Sequence, residues 1–249
     1  MINTALRHAH HERSGLASLL PGLRQVRTPL AVGYIYLLDL WLIFADYLTR
    51  KASGGVISDV IELRGWLGKG ALLAAVSFAA YRIGALNIIS PTILLKQILT
   101  LRLRVSDRFG PFAEPLPRSF SAALWDLARR QGFGGKFIST SKIQSVAGEA
   151  VAQRYDLRIK LLIADKEVYG EYDRLESEAE FRLNVSIPLA VLFGLLAWKW
   201  NLLWLLGLVP VTMIFWQGTT REFEALAVLI RAILVDKIRA SEAPEISTT

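Results

Sequence analysis

Two uncharged apolar runs separated by a short turn constrain this chain more than any other feature. Residues 183–198 and 202–216 contain no Asp, Glu, Lys or Arg. As a helix each run would be about 24 Å long, and flanking residues bring it close to the ~30 Å hydrocarbon core of a bilayer. Tryptophans at the turn and at the far border are typical of an interfacial belt. These are Trp198, Trp200, Trp204 and Trp216. The pattern predicts a transmembrane helical hairpin at about residues 183–217.

Each apolar run contains one proline, Pro188 in the first and Pro210 in the second. Proline has no backbone N–H, so within a helix each would free a carbonyl four residues earlier, at Asn184 and Leu206. Nearby hydroxyl and amide side chains can satisfy such carbonyls in lipid. We interpret the two prolines as helix kinks, with a hinge for gating as the alternative.

On its polar side the hairpin is predicted to continue as two amphipathic helices, so that residues 143–239 form one long helical hairpin. Apolar residues recur there at spacings of three and four, as in a coiled coil. In the first helix they are Leu157, Leu161, Ala164, Val168, Tyr172, Leu175 and Ala179, and in the second Phe223, Leu226, Ile230, Ile233 and Leu234. We expect the two helices to pack antiparallel. Part of the first stripe is also a candidate surface for assembly with further copies, namely Leu157, Leu161, Val168, Tyr172 and Leu175.

Two further apolar segments, residues 30–48 and 66–89, predict a first transmembrane hairpin within 29–90. Small residues recur at four-residue spacing in the second segment, which allows helices to approach closely in lipid. They form two rows, one of Ala71, Ala75 and Ala79 and one of Ala80 and Gly84. Together the two hairpins predict an all-α, polytopic membrane protein with about four transmembrane helices and a helical extension in the cytoplasm.

Asp39 and Arg82 are the most informative single charges, because each lies inside an apolar segment of the first hairpin. Measured from the borders at Leu30 and Ser90, both lie about 12–14 Å deep. An unpaired charge at that depth costs at least ~2.5–3.5 kcal/mol on insertion scales, which predicts an intramembrane pair between them. The pair either fixes helix packing or serves a proton or ion pathway. Alternatively, Arg82 snorkels to the interface.

The segments outside the spans complete the predicted organisation. Residues 1–28 form a basic cytoplasmic segment, and residues 240–249 a disordered tail. Region 91–142 carries a basic amphipathic helix after a Ser-Pro start signal, a proline-broken loop, and a helix at 119–131.

The distribution of charge predicts which ends face the cytoplasm. The chain carries 29 Lys and Arg against 22 Asp and Glu, a net charge of +7. Cytoplasmic N- and C-termini place 24 of the 29 basic residues on that side if Arg82 is counted there, in line with the positive-inside bias. We therefore predict a multi-pass protein of the plasma (inner) membrane. No nucleic-acid recognition motif accompanies the basic charge, so a nucleic-acid partner is not expected.

No arrangement of residues predicts a reaction. The chain has no Cys, which excludes thiolate chemistry and Cys-ligated metals. Its three histidines, His8, His10 and His11, lack a frame of further ligands. The glycine-rich basic segment 132–136 lacks the spacing of a phosphate-binding P-loop. We expect no catalytic residues, no cofactor and no metal, and hence a protein that is not an enzyme.

The first hypothesis is therefore a non-enzymatic integral membrane protein whose cytoplasmic stalk self-assembles or docks a cytoplasmic protein partner, with pore formation as an extension. The layout is similar in outline to small bacterial membrane effectors built from a helical hairpin and cytoplasmic helices, although no motif is shared. One alternative is a transporter or channel subunit that uses Asp39 and Arg82. Another is a membrane-bound enzyme that acts on lipids.

Overall fold

The computed structural model describes residues 26–45, 47, 56–90, 94, 97, 117–130 and 148–235. Within these ranges the chain forms helices and short connections and has no strand. The predicted all-α fold class is confirmed. The N-terminal 25 residues, the glycine-rich segment 132–136 and the tail 240–249 lie outside the described residues, as does most of the predicted amphipathic helix after Ser90.

Six α-helices of at least eleven residues make up most of the described chain. They are α1 (Val26–Ala45), α2 (Val56–Asn87), α3 (Arg118–Arg130), α4 (Arg154–Ala164), α5 (Lys166–Lys199) and α6 (Leu208–Leu234), and a 3-10 helix (Leu202–Gly207) joins α5 to α6. Four stretches are long and apolar enough to cross a membrane: α1, Gly68–Asn87 of α2, α5, and the combined Leu202–Leu234. The predicted number of membrane-crossing helices is thus confirmed.

The chain divides into two compact units. The first unit contains Met1–Ile88 and Leu183–Ile214, and the second contains Ile89–Arg182 and Phe215–Thr249. Both α5 and α6 contribute residues to each unit, since the boundaries fall inside these helices. The first unit thus contains nearly all of the predicted transmembrane residues, and the second contains the charged helices.

α2 begins before the predicted second span and changes direction at Gly68. The backbone there has φ 75° and ψ 162°, a conformation that glycine adopts without the steric cost of a Cβ atom. The part of α2 that is long and apolar enough to cross a membrane begins at this glycine. The sequence pattern placed the start of the span two residues earlier, at Trp66.

In the first unit α1 and α2 approach until their backbones touch. Ala80 and Gly84 are buried. A Cβ atom on Gly84 would overlap the carbonyl oxygen of Pro29, and one on Gly33 would overlap the carbonyl oxygen of Ala80. The contact therefore requires glycine at both positions.

Beside this contact, one side-chain hydrogen bond links the same two helices. Tyr34 Oη and Ser77 Oγ lie 2.5 Å apart, and the Ser77 hydroxyl is also 2.8 Å from the carbonyl oxygen of Leu73. Of the two predicted rows of small residues, the row of Ala80 and Gly84 faces α1, whereas Ala71 is exposed.

The connection between α5 and α6 is more than a tight turn. The side-chain oxygen of Asn201 accepts a hydrogen bond from the backbone N–H of Leu203 (3.1 Å) and opens the 3-10 helix. Because α6 begins only at Leu208, Pro210 lies in the first helical turn, where backbone N–H groups have no partner within the helix. It therefore breaks no hydrogen bond inside α6. Pro188, in contrast, lies in the interior of α5.

The long amphipathic helix predicted from residue 143 is interrupted by a turn at Gln153, before α4, and again at Asp165. The backbone there is extended, with φ −151° and ψ 99°. The Asp165 carboxylate accepts hydrogen bonds of 3.0 Å from the N–H groups of Glu167 and Val168. An aspartate that bonds nearby backbone groups favours helix starts over helix interiors. α4 and α5 are therefore separate helices, which corrects the prediction of a single one.

The second unit is built around an apolar core drawn from α3, α4, α5 and α6. The rings of Phe120 and Phe223 lie 5.1 Å apart between centroids. Arg130 at the end of α3 donates to the carbonyls of Leu234 (2.7 Å) and Ile233 (3.1 Å), which closes the end of α6. Burying large side chains, at about 1.5–3 kcal/mol each, stabilises helices that are marginal alone.

Candidate functional site

A buried cluster of charged and hydroxyl groups lies within the second unit, centred on Arg154 at the beginning of α4. Arg154 Nε donates to Tyr172 Oη (2.9 Å) and Nη2 donates to Glu176 Oε1 (3.1 Å), both on α5. Nη1 donates to Glu222 Oε1 on α6. Arg154 is 5% exposed and Glu222 is 0% exposed. These four residues, termed the Arg154 cluster, tie three helices together through one guanidinium.

Arg158, one turn further along α4, adds a second and more exposed layer. Its Nη1 lies 3.3 Å from Glu176 Oε2, and its Nη2 lies 3.7 Å from Asp173 Oδ1. Nη2 also donates to Tyr169 Oη (3.2 Å). Residues four apart share a helix face, so the inner face of α4 is held at two successive turns.

The surroundings keep Arg154 charged. Burial alone would lower its pKa, but Glu222, Tyr172 and Glu176 together raise the pKa above its usual value. A buried charge persists only when it is paired and hydrogen-bonded. All three guanidinium nitrogens are engaged within the fold. The cluster therefore positions α4 and does not offer these groups to a substrate.

The opposite face of α4 is apolar and exposed. Tyr155 is 71% exposed and Ile163 is 81% exposed, with Ile159 and Leu162 between them also exposed. Their spacing places all four on one side of the helix. Contiguous exposed apolar patches often mark sites that bind a protein or a membrane. These four residues are termed the α4 stripe.

The residues predicted as an assembly stripe face inward instead. Leu157, Leu161, Tyr172 and Leu175 belong to the buried core, and Val168 packs against it. They are already covered within one chain, in a core shared by four helices. The surface of α4 that remains open is the α4 stripe. Periodicity did not separate the two faces, because both sides of α4 carry apolar residues at helical spacing.

The sequence contained a signal for the Arg154 cluster. Arg154 precedes Leu157 by three residues, and Glu222 precedes Leu226 by four, so each charge occupies a position on an apolar stripe. Opposite charges at core positions of helices expected to pack together indicate a buried pair. The sequence does not show that Glu222, and not nearby Glu224, is the partner.

Asp39 lies on the buried face of α1. Thr28, Val32 and Leu42 are buried on the same side of α1 as Asp39, and Pro29 and Gly33 beside them are buried as well. Both carboxylate oxygens of Asp39 are buried, and neither accepts a hydrogen bond from the residues that the structure describes.

The structure does not bring Asp39 and Arg82 together. The side chain of Arg82 is exposed. α1 and α2 meet through Gly33 and Gly84. With about 100° of rotation per residue, Asp39 lies about 120° around α1 from Gly33, and Arg82 lies about 200° around α2 from Gly84. The similar depth predicted for the two charges was therefore not sufficient for pairing.

Within the described ranges, no group of three or more His, Asp or Glu side chains could hold a metal ion. His8, His10 and His11 lie outside these ranges, so the expectation for them stays a prediction.

Comparison with known proteins adds no relative. No protein-family model, curated protein or solved structure matches this chain. The class therefore rests on the fold itself. The chain is an all-α protein with four helices long and apolar enough to cross a membrane, and its charged helices fold around a buried ion cluster.

Proposed function

We propose that this chain is a non-enzymatic, multi-pass protein of a bacterial inner membrane that assembles through the α4 stripe. The observation that supports this most strongly is the contrast between the two faces of α4. Arg154 and Arg158 hold the inner face, while four apolar side chains on the outer face are exposed. A pre-organised apolar surface loses little conformational freedom on binding, which favours affinity.

A second copy of the same chain is the occupant that fits the α4 stripe. Asp156 lies at one end of the stripe and Lys166 follows the other, and both are exposed. A two-fold antiparallel contact that sets Ile159 against Ile163 of the other copy would also bring each Asp156 close to the other Lys166. A helix lying on an anionic membrane surface usually has a basic polar face. Two of the three basic residues of α4, Arg154 and Arg158, are instead ion-paired within the second unit, which favours a protein partner over lipid.

Assembly at α4 would affect the membrane because α5 and α6 each extend from the charged core into an apolar run. With both termini in the cytoplasm, as the positive-inside bias favours, the second unit would lie on the cytoplasmic side. Several copies would then gather their apolar hairpins in one place. A pore-forming effector is the extension of this proposal.

The test is the oligomeric state of the full chain in detergent, measured by light scattering and by chemical cross-linking. Wild type is expected to form dimers or larger assemblies. Ile163→Asp should weaken association at least about tenfold, since buried interface anchors contribute about 2 kcal/mol or more. Val235→Asp is the matched control, because Val235 is 67% exposed but lies beyond α6. A wild type that stays monomeric at all concentrations would contradict the proposal, as would an Ile163→Asp variant that associates normally.

Charge reversal tests the identity of the partner. Asp156→Lys and Lys166→Asp should each weaken self-association, and the double variant should restore it, because only a second copy supplies both charges. If neither reversal changes self-association but Ile163→Asp does, the stripe binds in another geometry or binds a different protein.

A second candidate function is supported by Asp39. Its carboxyl is buried, without a hydrogen bond from the described chain, in a helix long and apolar enough to cross a membrane. Intramembrane carboxyl groups frequently serve ion or proton pathways. A transporter or channel subunit would lose flux in proteoliposomes on Asp39→Asn while its thermal stability stays unchanged. Asp126→Asn, on an exposed face of α3, is the control. A change in stability alone would assign Asp39 to packing.

A further inference from the structure

The connection between α5 and α6 is both apolar and exposed. Of residues 198–207, only Lys199 is charged and only Asn201 carries an amide side chain. Leu202 is 74% exposed and Leu206 is 69% exposed, and so much apolar surface at the end of a hairpin is unfavourable in water. The exposed apolar residues of the connection, termed the hairpin tip, are Trp198, Trp200, Leu202, Leu203, Trp204, Leu205 and Leu206.

The connection supplies hydrogen-bond partners for its own backbone. The carbonyl of Asn201 accepts from the N–H of Trp204 (3.0 Å), and the Asn201 side chain accepts from the N–H of Leu203 (3.1 Å). At the other end of the 3-10 helix, the N–H of Leu208 donates to the carbonyl of Leu205. A loop in water can bond its backbone to solvent, whereas in lipid the backbone needs partners within the chain. The backbone of this connection is therefore suited to hydrocarbon.

The 3-10 helix runs back beside α5 and does not extend past its end. The rings of Trp204 and Phe193 lie 6.4 Å apart between centroids, and a Cβ atom on Gly207 would overlap the ring of Phe193. Phe193 lies about 9 Å before the end of α5 at Lys199, and six residues of 3-10 helix rise about 12 Å. The leucines of the 3-10 helix therefore lie level with the apolar run 183–198 and not beyond it.

We propose that the hairpin tip is embedded among the acyl chains of the bilayer leaflet opposite Arg182 and forms no loop on the far side of the membrane. Lys199 lies about 26 Å beyond Arg182 along α5, which is less than the ~30 Å hydrocarbon core. With Arg182 at one border, the flexible side chain of Lys199 reaches the far headgroups. Trp198 and Trp200 lie at headgroup level, and the leucines that run back beside α5 contact lipid.

The distribution of the leucines favours lipid over a second protein copy. A 3-10 helix has three residues per turn and hence three sides, and the side that contains Gly207 faces Phe193. Each of the other two sides carries a pair of exposed leucines, Leu202 with Leu205 and Leu203 with Leu206. A protein partner would cover one side, whereas a helix that is apolar on every free side is suited to a surrounding apolar solvent. The hairpin tip is separate from the α4 stripe, and its contact with lipid does not depend on the assembly proposed above.

Site-directed spin labelling of the full chain tests the proposal. The chain has no Cys, so Leu203→Cys and Leu206→Cys each give one labelled position. In vesicles of phosphatidylethanolamine and phosphatidylglycerol, collisions of the label with oxygen, which partitions into hydrocarbon, are compared with collisions with a water-soluble nickel chelate present on both sides. Both labels should collide readily with oxygen and lose nearly all collisions with the chelate. Arg174→Cys, at an exposed position of α5, is the matched control and should show the reverse.

Two results would overturn the proposal. Frequent collisions with the nickel chelate at either position would assign the hairpin tip to an aqueous loop. Rare collisions with both oxygen and chelate would show that protein covers the tip, as a second copy would.

A wild-type measurement covers the case in which a variant fails to fold. Hydrogen–deuterium exchange of the full chain in lipid nanodiscs should be as slow in the peptide containing residues 200–208 as in a peptide from the run 183–198. Exchange at the rate of an unstructured peptide would contradict an embedded connection.

Discussion

The two units hold their helices together by opposite means. In the first unit α1 and α2 touch backbone to backbone at Gly33 and Gly84, where a methyl group has no room. In the second unit the helices are held apart by large side chains such as Phe120, Phe223 and Tyr172, and a buried arginine is paired with carboxylates between them. The helix contact in the first unit leaves no room for side chains, whereas the helix contacts in the second unit are made by side chains.

The difference matches the one expected between helices that pack in lipid and helices that pack in water. In lipid, apolar side chains gain nothing by leaving the solvent, so helices associate by close packing of small residues. In water, burial of apolar area drives folding and is large enough to offset the cost of a buried ion cluster. The predictions below test this contrast in order of decreasing effect.

The largest effect is expected at the Arg154 cluster. Arg154→Ala should lower the free energy of unfolding by about 3–5 kcal/mol, because it leaves the Glu222 carboxylate buried without its counter-charge. Thermal unfolding of the purified protein in detergent measures this. Arg174→Ala, at an exposed position, should change stability by less than about 0.5 kcal/mol.

The double variant Arg154→Met with Glu222→Leu sharpens the same test. Replacing both charges by apolar side chains of similar size is expected to recover most of the lost stability. If the double variant is as unstable as Arg154→Ala, then pairing of the two charges is not the main contribution of the Arg154 cluster to stability. The stability of the core would then depend on the hydrogen bonds of the cluster.

The second effect concerns the glycine contact in the first unit. Gly84→Ala should cost about 1–3 kcal/mol, the range for overpacking, because the new methyl group meets a backbone carbonyl that cannot rotate away. Gly70→Ala in the same helix has no atom in its path and should be neutral or stabilising by up to about 1 kcal/mol. Equal unfolding temperatures for the two variants would show that α1 and α2 do not depend on this approach.

A smaller effect is expected at the break between α4 and α5. Asp165→Ala should cost about 1 kcal/mol, since it removes the side-chain cap of α5, and Asp165→Ser should recover part of it. Denaturant unfolding with α5 monitored by hydrogen exchange measures the loss. Glu167→Ala, an exposed change in the first turn of α5, is the comparison, and a larger loss there would indicate a charge effect in place of a cap.

The smallest effect is expected for the hydrogen bond between Tyr34 and Ser77. Hydrogen bonds between membrane helices average about 0.6 kcal/mol in double-mutant cycles. A cycle of Tyr34→Phe and Ser77→Ala should give a coupling of that size. A coupling above about 2 kcal/mol would show that polar contacts, and not the glycine contact, hold α1 against α2.

The sequence alone determined the class of fold. Long uncharged runs, small-residue rows and apolar stripes at helical spacing act locally, so they predicted an all-helical chain with four membrane-crossing helices and a helical core. The sequence could not distinguish the buried face of α4 from the exposed one, because both faces carry apolar residues at helical spacing.

Only the tertiary structure decided which residues meet. It separated Asp39 from Arg82 because α1 and α2 contact through their glycine faces, and it joined Arg154 to Glu222 across 68 positions of sequence. It also turned the predicted assembly stripe into core and left the α4 stripe open. Periodicity specifies the face of a helix on which a side chain lies, whereas the neighbour of that face depends on how the helices pack.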